Sequence, residues 1–261
     1  MERESLTAVD VLLPVRLPAP WLKETLKGLS AQTTSLWHLV CVIHGDEGNI
    51  ADLIYKFAPN ATIVSVPAER SFVDALNAGL EKCDSQYIAR IDADDIPEPE
   101  RIEAQSQFLD ANPSVGLVCS NVTWIDSDGD TIRVDRIDKL PIIKGLRWKN
   151  IIAHPSVMMR RQAVLEVDGY NERATHAEDY EMWLRLATRW ELARIEEPLI
   201  RYRVHDGQVT KTKSLQTKSR HAILTARLAL ARKRGESVLA ARFRHAAWST
   251  PQILRCLKVN R

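Results

Sequence analysis

The stretch Tyr87-Ile88-Ala89-Arg90-Ile91-Asp92-Ala93-Asp94-Asp95-Ile96-Pro97 decides how this chain is read. Its first five residues are a short, mostly apolar run rich in β-favouring side chains, which predicts a buried strand. Pro97 and Pro99 then break regular structure. Asp92, Asp94 and Asp95 therefore fall at the carboxyl end of a central strand, the place where open α/β sheets bind ligands. Oxygen ligands grouped in this way suit a hard cation, Mg²⁺ or Mn²⁺, shared with a phosphate. The competing reading is an acidic turn that caps the next helix, since Asp is common in turns. The stretch alone does not choose between them.

Outward from it, strand and helix patterns alternate. Residues 9–15, 36–44 and 61–66 read as strands, and residues 21–31, 50–57 and 71–82 as helices with apolar residues on one face. Three strand–helix units before the carboxylates predict an α/β fold with a mostly parallel sheet flanked by helices. Beyond them, residues 100–109 and 177–190 read as helices, and 115–121 and 198–204 as strands. Residues 126–130, Asp-Ser-Asp-Gly-Asp, read as a hairpin turn; a calcium loop would need a terminal Glu that is missing.

The totals describe an ordinary soluble composition: 45% apolar and 27% charged over 261 residues, enough for one large domain with an appendage. No signal-peptide pattern or membrane-length apolar run occurs. The four cysteines are far apart, with no metal-ligand spacing. Cys41 and Cys119 lie in apolar runs, which points to reduced core thiols and a cytoplasmic protein. Charge is uneven. Residues 211–261 hold 13 Lys+Arg and one acidic residue, a net of +12, against −10 for residues 1–210. The expected division is a domain at 1–210 and a basic helical extension at 211–261.

Several motifs recur in one order: Leu13-Pro14-Val15, Ala75-Leu76-Asn77-Ala78-Gly79-Leu80, Asp92-Ala93-Asp94-Asp95, His154-Pro155-Ser156-Val157, Gly169-Tyr170, Glu178-Asp179-Tyr180 and Tyr202-Arg203-Val204-His205. Together, over roughly residues 8–210, they resemble the family 2 glycosyltransferases of the GT-A fold. The resemblance implies metal-dependent, inverting transfer of a sugar from a nucleoside-diphosphate sugar to a hydroxyl acceptor. The uridine nucleotide is the default, and the product a polysaccharide, an O-antigen-like glycan or a glycolipid. It implies Asp94 as the metal ligand, Asp92 nearer the ribose, and Asp179 as the base that takes the acceptor's proton. Asp95 is read as a helix cap. His205 is read as helping to bind the cation or a nearby phosphate, with a surface histidine as the competing reading. Further donor contacts are expected from Pro14, Val15, Arg16, Asn77 and Ala93. Arg203, beside Arg201, is a candidate diphosphate partner because guanidinium suits phosphate geometry; a solvated strand face competes.

The chain departs from the family after strand two. Where many relatives carry an aspartate that reads the base, it has His44-Gly45-Asp46-Glu47. His44 or Asp46 is the candidate substitute, and the base stays unassigned. Arg16, where relatives often carry Tyr, is a second oddity. Alternatives are a nucleotidyltransferase, which lacks its Gly-rich loop here, and a silent scaffold that binds a nucleotide sugar or a membrane. For the basic tail, a packed hairpin with a solvated face competes with attachment to an anionic membrane, sensible for a lipid-linked acceptor. Nucleic acid is disfavoured because aromatic residues are sparse there.

Overall fold

The computed structural model describes residues 8–45, 48, 50–135, 141–208 and 215–259, with side chains to residue 251. Its first half alternates β1 (Val9–Val15), α1 (Leu22–Ser30), β2 (Trp37–His44), α2 (Ile50–Phe57), β3 (Thr62–Val66), α3 (Phe72–Leu80) and β4 (Tyr87–Arg90). These strands lie in the order β3-β2-β1-β4, all parallel. Helices cover both faces. Val9, Val11, Leu13 and Val15 pack with Leu22, Leu26 and Leu29 of α1. Leu12, Val40 and Val42 pack on the other face with Val73 and Leu76 of α3. Double coverage is why β1 and β2 read as unbroken apolar runs. Burying each such Leu or Val is worth about 2 kcal/mol. Gly79 lets α3 lie close on the sheet, because a Cβ there would sit 2.3 Å from Leu12 and 2.6 Å from Val42. Asp10, buried in β1, accepts the amides of Asp84 and Ser85, both at 2.8 Å, and so fixes the turn into β4.

The second half contains β5 (Ile96–Pro97), α4 (Arg101–Ala111), β6 (Val115–Ile125), β7 (Thr131–Val134), α5 (Ile142–Leu146), β8 (Met158–Arg160), α6 (Arg161–Leu165), α7 (Glu178–Leu186) and β9 (Glu191–Arg203). The sheet continues β4-β8-β6-β9-β5, with β7 beside β6. Here β8 is antiparallel to β4 and to β6, and β5 to β9, while β6 and β9 run parallel, so the second half of the sheet is mixed. Two elements differ from expectation. Ile96-Pro97 forms a short edge strand, where a proline's missing N–H is harmless. The strand expected at 198–204 starts at Glu191, because the register shift around Asn121 absorbs Pro198. The Asp126 turn is a hairpin: its Oδ1 accepts the amides of Asp128 and Asp130 at 3.0 and 2.9 Å.

Helices α8 (Thr217–Lys233) and α9 (Val238–Val259) follow. Ile223, Ala226 and Leu230 of α8 enter the same core as Leu12 and Trp183. Arg232, Lys233, Arg234 and Arg242 stay exposed. Among the described residues, no helix is long and apolar enough to cross a membrane. Cys41, Cys83 and Cys119 are buried free thiols.

Candidate functional site

The chain leaves β4 at Arg90, and the next five residues hold the acidic rim. The carboxylate oxygens of Asp92, Asp94 and Asp95 lie within 4.8 Å of one another. Each has a different partner. Asp92 pairs with Arg90, whose side chain is buried beneath it. Asp94 Oδ2 lies 2.9 Å from His205 Nε2. Asp95 Oδ1 accepts the backbone amide of Arg203 at 2.7 Å, while its Oδ2 is buried without a partner among the described residues. Asp95 is therefore not the cap of α4; it ties the acidic rim to β9. Burial, then the charges of Asp94 and Asp92, hold its carboxyl well above the usual range. Three carboxylates, one of them with a bare buried oxygen, fit a small oxygen-seeking cation.

His205 stacks on Trp21 with ring centroids 4.6 Å apart. Its Nδ1 accepts the Gly207 amide at 3.1 Å, so the proton of the neutral ring sits on Nε2 and points at Asp94. As arranged, the expected metal ligand is a hydrogen-bond donor that orients Asp94. Direct ligation at Nε2 requires the Gly207 amide to turn away.

The opposite rim is the first turn of α7. Asp179 Oδ2 accepts from Asn150 Nδ2 at 2.7 Å, and Oδ1 from its neighbour's amide, Tyr180, at 2.6 Å. Burial raises its pKa, with Asp92 adding repulsion and Arg90 opposing it. Beside it Glu178, 9% exposed, is pushed up to about 7 by burial and then by Asp179. The Tyr170 hydroxyl, 2.8 Å from His154 Nε2, feels the charges of Arg90, Asp179, Glu178 and Asp92 together. The charges of Arg90 and Asp92 bear on both Tyr170 and Asp179, so the first turn of α7 lies in the electrostatic neighbourhood of the acidic loop. Burial keeps His154 well below the usual histidine range and so neutral.

Other expected contacts fare differently. Pro14 and Val15 are buried in β1, so only their backbone faces the sheet's carboxyl edge; Arg16 just beyond is exposed, and Ala93 is half-buried in the acidic loop. His44 ends β2 with Nε2 2.9 Å from the Arg70 carbonyl and a buried Nδ1 that has no partner among the described residues. Asp46 lies outside the described residues. Asn77 has a structural task. Its Oδ1 accepts from Tyr170 N and its Nδ2 donates to Tyr170 O, both at 2.9 Å, so its carboxamide holds the Gly169-Tyr170 turn. That explains an asparagine inside a helix without a nucleotide. Arg203 has a structural task as well. It is 0% exposed, and its guanidinium donates to Glu24 and to the carbonyls of Asp94, Asp126 and Ser127. Buried, with four of its five N–H donors engaged, it braces the acidic loop from behind and does not face a diphosphate. Arg201 likewise donates to the Gly129 carbonyl. Trp183 is core, with 0% exposure.

Sequence reasoning missed Arg90 and Asn150. Arg90 carried a signal, a lone cation inside an apolar strand ahead of three acids. Asn150 carried none, because it sits in an unpatterned loop and meets Asp179 only in space.

Comparison with known proteins bears on the family and the fold. The model of Glycosyl transferase family 2 matches residues 10–169. The amylovoran biosynthesis glycosyltransferase AmsE of Erwinia amylovora is 30% identical over 199 residues, 73% of each chain. The O-antigen biosynthesis glycosyltransferase WbnJ of Escherichia coli is 27% identical over 223 residues, 81% of this chain and 85% of that one. The crystal structure of S. aureus TarS 1–349 in complex with UDP-GlcNAc superposes with a TM-score of 0.74 at 12% identity, over 92% of this chain and 73% of that one, which shows the same GT-A fold. The chain belongs to glycosyltransferase family 2 and is a glycosyltransferase enzyme.

Proposed function

We propose that this enzyme moves a sugar, with inversion, from a nucleoside-diphosphate sugar to a hydroxyl acceptor of a polysaccharide or O-antigen-like glycan, with a divalent cation as cofactor. The reading is carried by the acidic loop after β4, whose three carboxylates lie within 4.8 Å of one another, and supported by Asp179 lying near enough for the charges of Arg90 and Asp92 to bear on it. The relatives' printed roles in amylovoran and O-antigen synthesis support the product class. UDP and UDP-GlcNAc bound to the TarS neighbour support a uridine donor.

Asp94, with Asp92 and the free oxygen of Asp95, would hold Mg²⁺ or Mn²⁺, and His205 orients Asp94. Such a cation offsets charge on the departing diphosphate. The chain's own chemistry is at Asp179. Its carboxylate accepts the proton of the acceptor hydroxyl, and the freed lone pair forms a bond to C1. The bond from C1 to the diphosphate oxygen breaks, and its electron pair leaves on the nucleoside diphosphate. Attack from the face opposite the leaving group inverts the anomeric centre. Asn150 and the Tyr180 amide aim the carboxylate. Residues 1–210 are the transferase unit in this reading, and 211–261 its extension.

The extension also presents a face for an anionic bilayer. Leu239 and Phe243, one helical turn apart on α9, are 78% and 70% exposed, with Arg242 between them and Arg232, Lys233 and Arg234 nearby. Exposed apolar anchors among cations match a lipid surface better than plain solvation. The rest of the chain, at −10, would be repelled by the same surface and so orient the docked enzyme. Vesicle sedimentation tests this: binding to anionic vesicles that weakens with salt and with Phe243→Ser is the expected result, and no binding removes it.

The main reading is tested by thermal shift against UDP, GDP and dTDP with and without Mn²⁺, followed by nucleotide-release assays with the matching sugars. One nucleotide should stabilise the protein strongly only with metal. Stabilisation by none, with metal present, sinks the donor assignment.

A further inference from the structure

Arg227 of α8 behaves unlike the rest of the basic extension. It is 3% exposed, while Arg232, Lys233 and Arg234 in the same helix region are exposed. Its Nη2 donates to the Tyr180 hydroxyl at 2.7 Å and to the Trp148 carbonyl at 2.9 Å, and its Nε lies 3.2 Å from the same hydroxyl. The Tyr180 hydroxyl donates in turn to the Leu146 carbonyl. The guanidinium also lies over the Tyr180 and Trp248 rings, 5.5 and 5.0 Å from their centroids.

The hydrogen-bond partners share one property: they belong to the two segments around Asp179, and only the Trp248 ring lies elsewhere, on α9. Tyr180 follows Asp179 directly. Leu146 and Trp148 lead into Asn150, which donates to Asp179 at 2.7 Å. Among the described residues these Arg227 partners are neutral, and its Nη1 is buried without a partner. A buried cation held by neutral groups costs free energy that a methionine of similar length would avoid. Packing alone does not require it. What a guanidinium adds is several directed donors in one plane. Here they lock residues 146–150 against Tyr180.

We propose that Arg227 is a positioning residue of the transfer reaction: from outside the transferase unit, it holds the 146–150 turn on Tyr180 and thereby keeps Asn150 on Asp179. This rests on the reading of Asp179 as the base.

The test compares Arg227→Met, Arg227→Lys and the milder Tyr180→Phe with the parent and with Asp179→Asn, all as full chains. Calorimetric titration with UDP and Mn²⁺, or with the nucleotide that the thermal-shift panel selects, counts folded donor sites. Nucleotide release from the matching sugar donor, to acceptor or to water, gives turnover per site. Hydrogen exchange reads residues 146–152. The expected result is unchanged nucleotide affinity and stoichiometry and faster exchange in 146–152. Turnover per site should fall about 10- to 100-fold in Arg227→Met, partly restored in Arg227→Lys. Unchanged exchange in 146–152 overturns the inference. So does loss of donor sites in step with turnover, which makes Arg227 a plain folding residue. Normal turnover in Arg227→Met and Tyr180→Phe beside an inactive Asp179→Asn overturns the inference alone. Normal turnover in Asp179→Asn removes the base itself, and the inference with it.

Discussion

Asp94 and Asp179 sit on different scaffolds, the loop after β4 and the first turn of α7, and their neighbours differ. The β4 rim gathers three carboxylates around one buried cation, Arg90 on Asp92, with the neutral His205 ring on Asp94 and a backbone amide on Asp95. Among the described residues one buried carboxylate oxygen has no partner. The α7 rim meets Asp179 with neutral donors, Asn150 and the Tyr180 amide. A crowded acidic rim is short of positive charge and suits a cation with a diphosphate. A carboxylate in a buried setting with neutral donors keeps a raised proton affinity and suits proton transfer. The same residue type is thus set to two tasks by its surroundings.

The largest expected effect tests the α7 rim. Asp179→Asn should lower turnover by about 10²- to 10⁴-fold, with nucleotide affinity kept. In the parent, the base must be ionised to act, and burial raises its pKa. Turnover should therefore decline on the acid side at a higher pH than an ordinary carboxylate would give, and a pH–rate profile checks this. Asp94→Asn tests the other rim. It should cost about 10³-fold and abolish the metal-dependent part of the nucleotide thermal shift, which Asp179→Asn leaves intact. Equal metal responses in the two variants would erase the distinction between rims.

Arg203→Met probes whether the β4 rim is braced from behind. Removing this buried guanidinium should cost about 3 kcal/mol of stability by denaturant titration, with nucleotide affinity per folded molecule unchanged. A selective loss of affinity would return Arg203 to the diphosphate. The smallest effect concerns Glu178, raised from 4.5 to about 7. Ionising it costs more in the folded state than in the unfolded one. Its favourable contribution is complete below about pH 4.5 and is lost as pH rises through about 7. Glu178→Gln should be more stable than the parent at pH 8, by on the order of 1 kcal/mol, and not at pH 4. Melting temperatures at both values decide it.

The first half of the sheet was legible because its signals are local. Strands covered on both faces give apolar runs, and α1 and α3 give apolar residues at helical spacing. The second half was less so. Pro198 reads as a strand boundary, yet the partner strand's irregularity at Asn121 carries β9 past it. Asp95 and Arg203 were misread because their partners lie 108 residues apart in sequence. An Arg next to phosphate-site residues looks the same on paper whether its guanidinium faces a ligand or Glu24.

By itself the sequence determined the α/β plan, the position of the carboxylates at a strand's carboxyl end, the separate basic extension and, through the order of its motifs, the family. These follow from chain-local patterns of apolarity, turn chemistry and charge. Only the tertiary structure decided which polar groups meet: Asn77 with the Gly169-Tyr170 turn, Arg203 with Glu24 and the acidic loop, Asp94 with His205, and Asp179 with Asn150. The reason is physical. A hydrogen bond or a desolvation cost depends on what lies within a few ångströms, and those neighbours come from segments far apart along the chain.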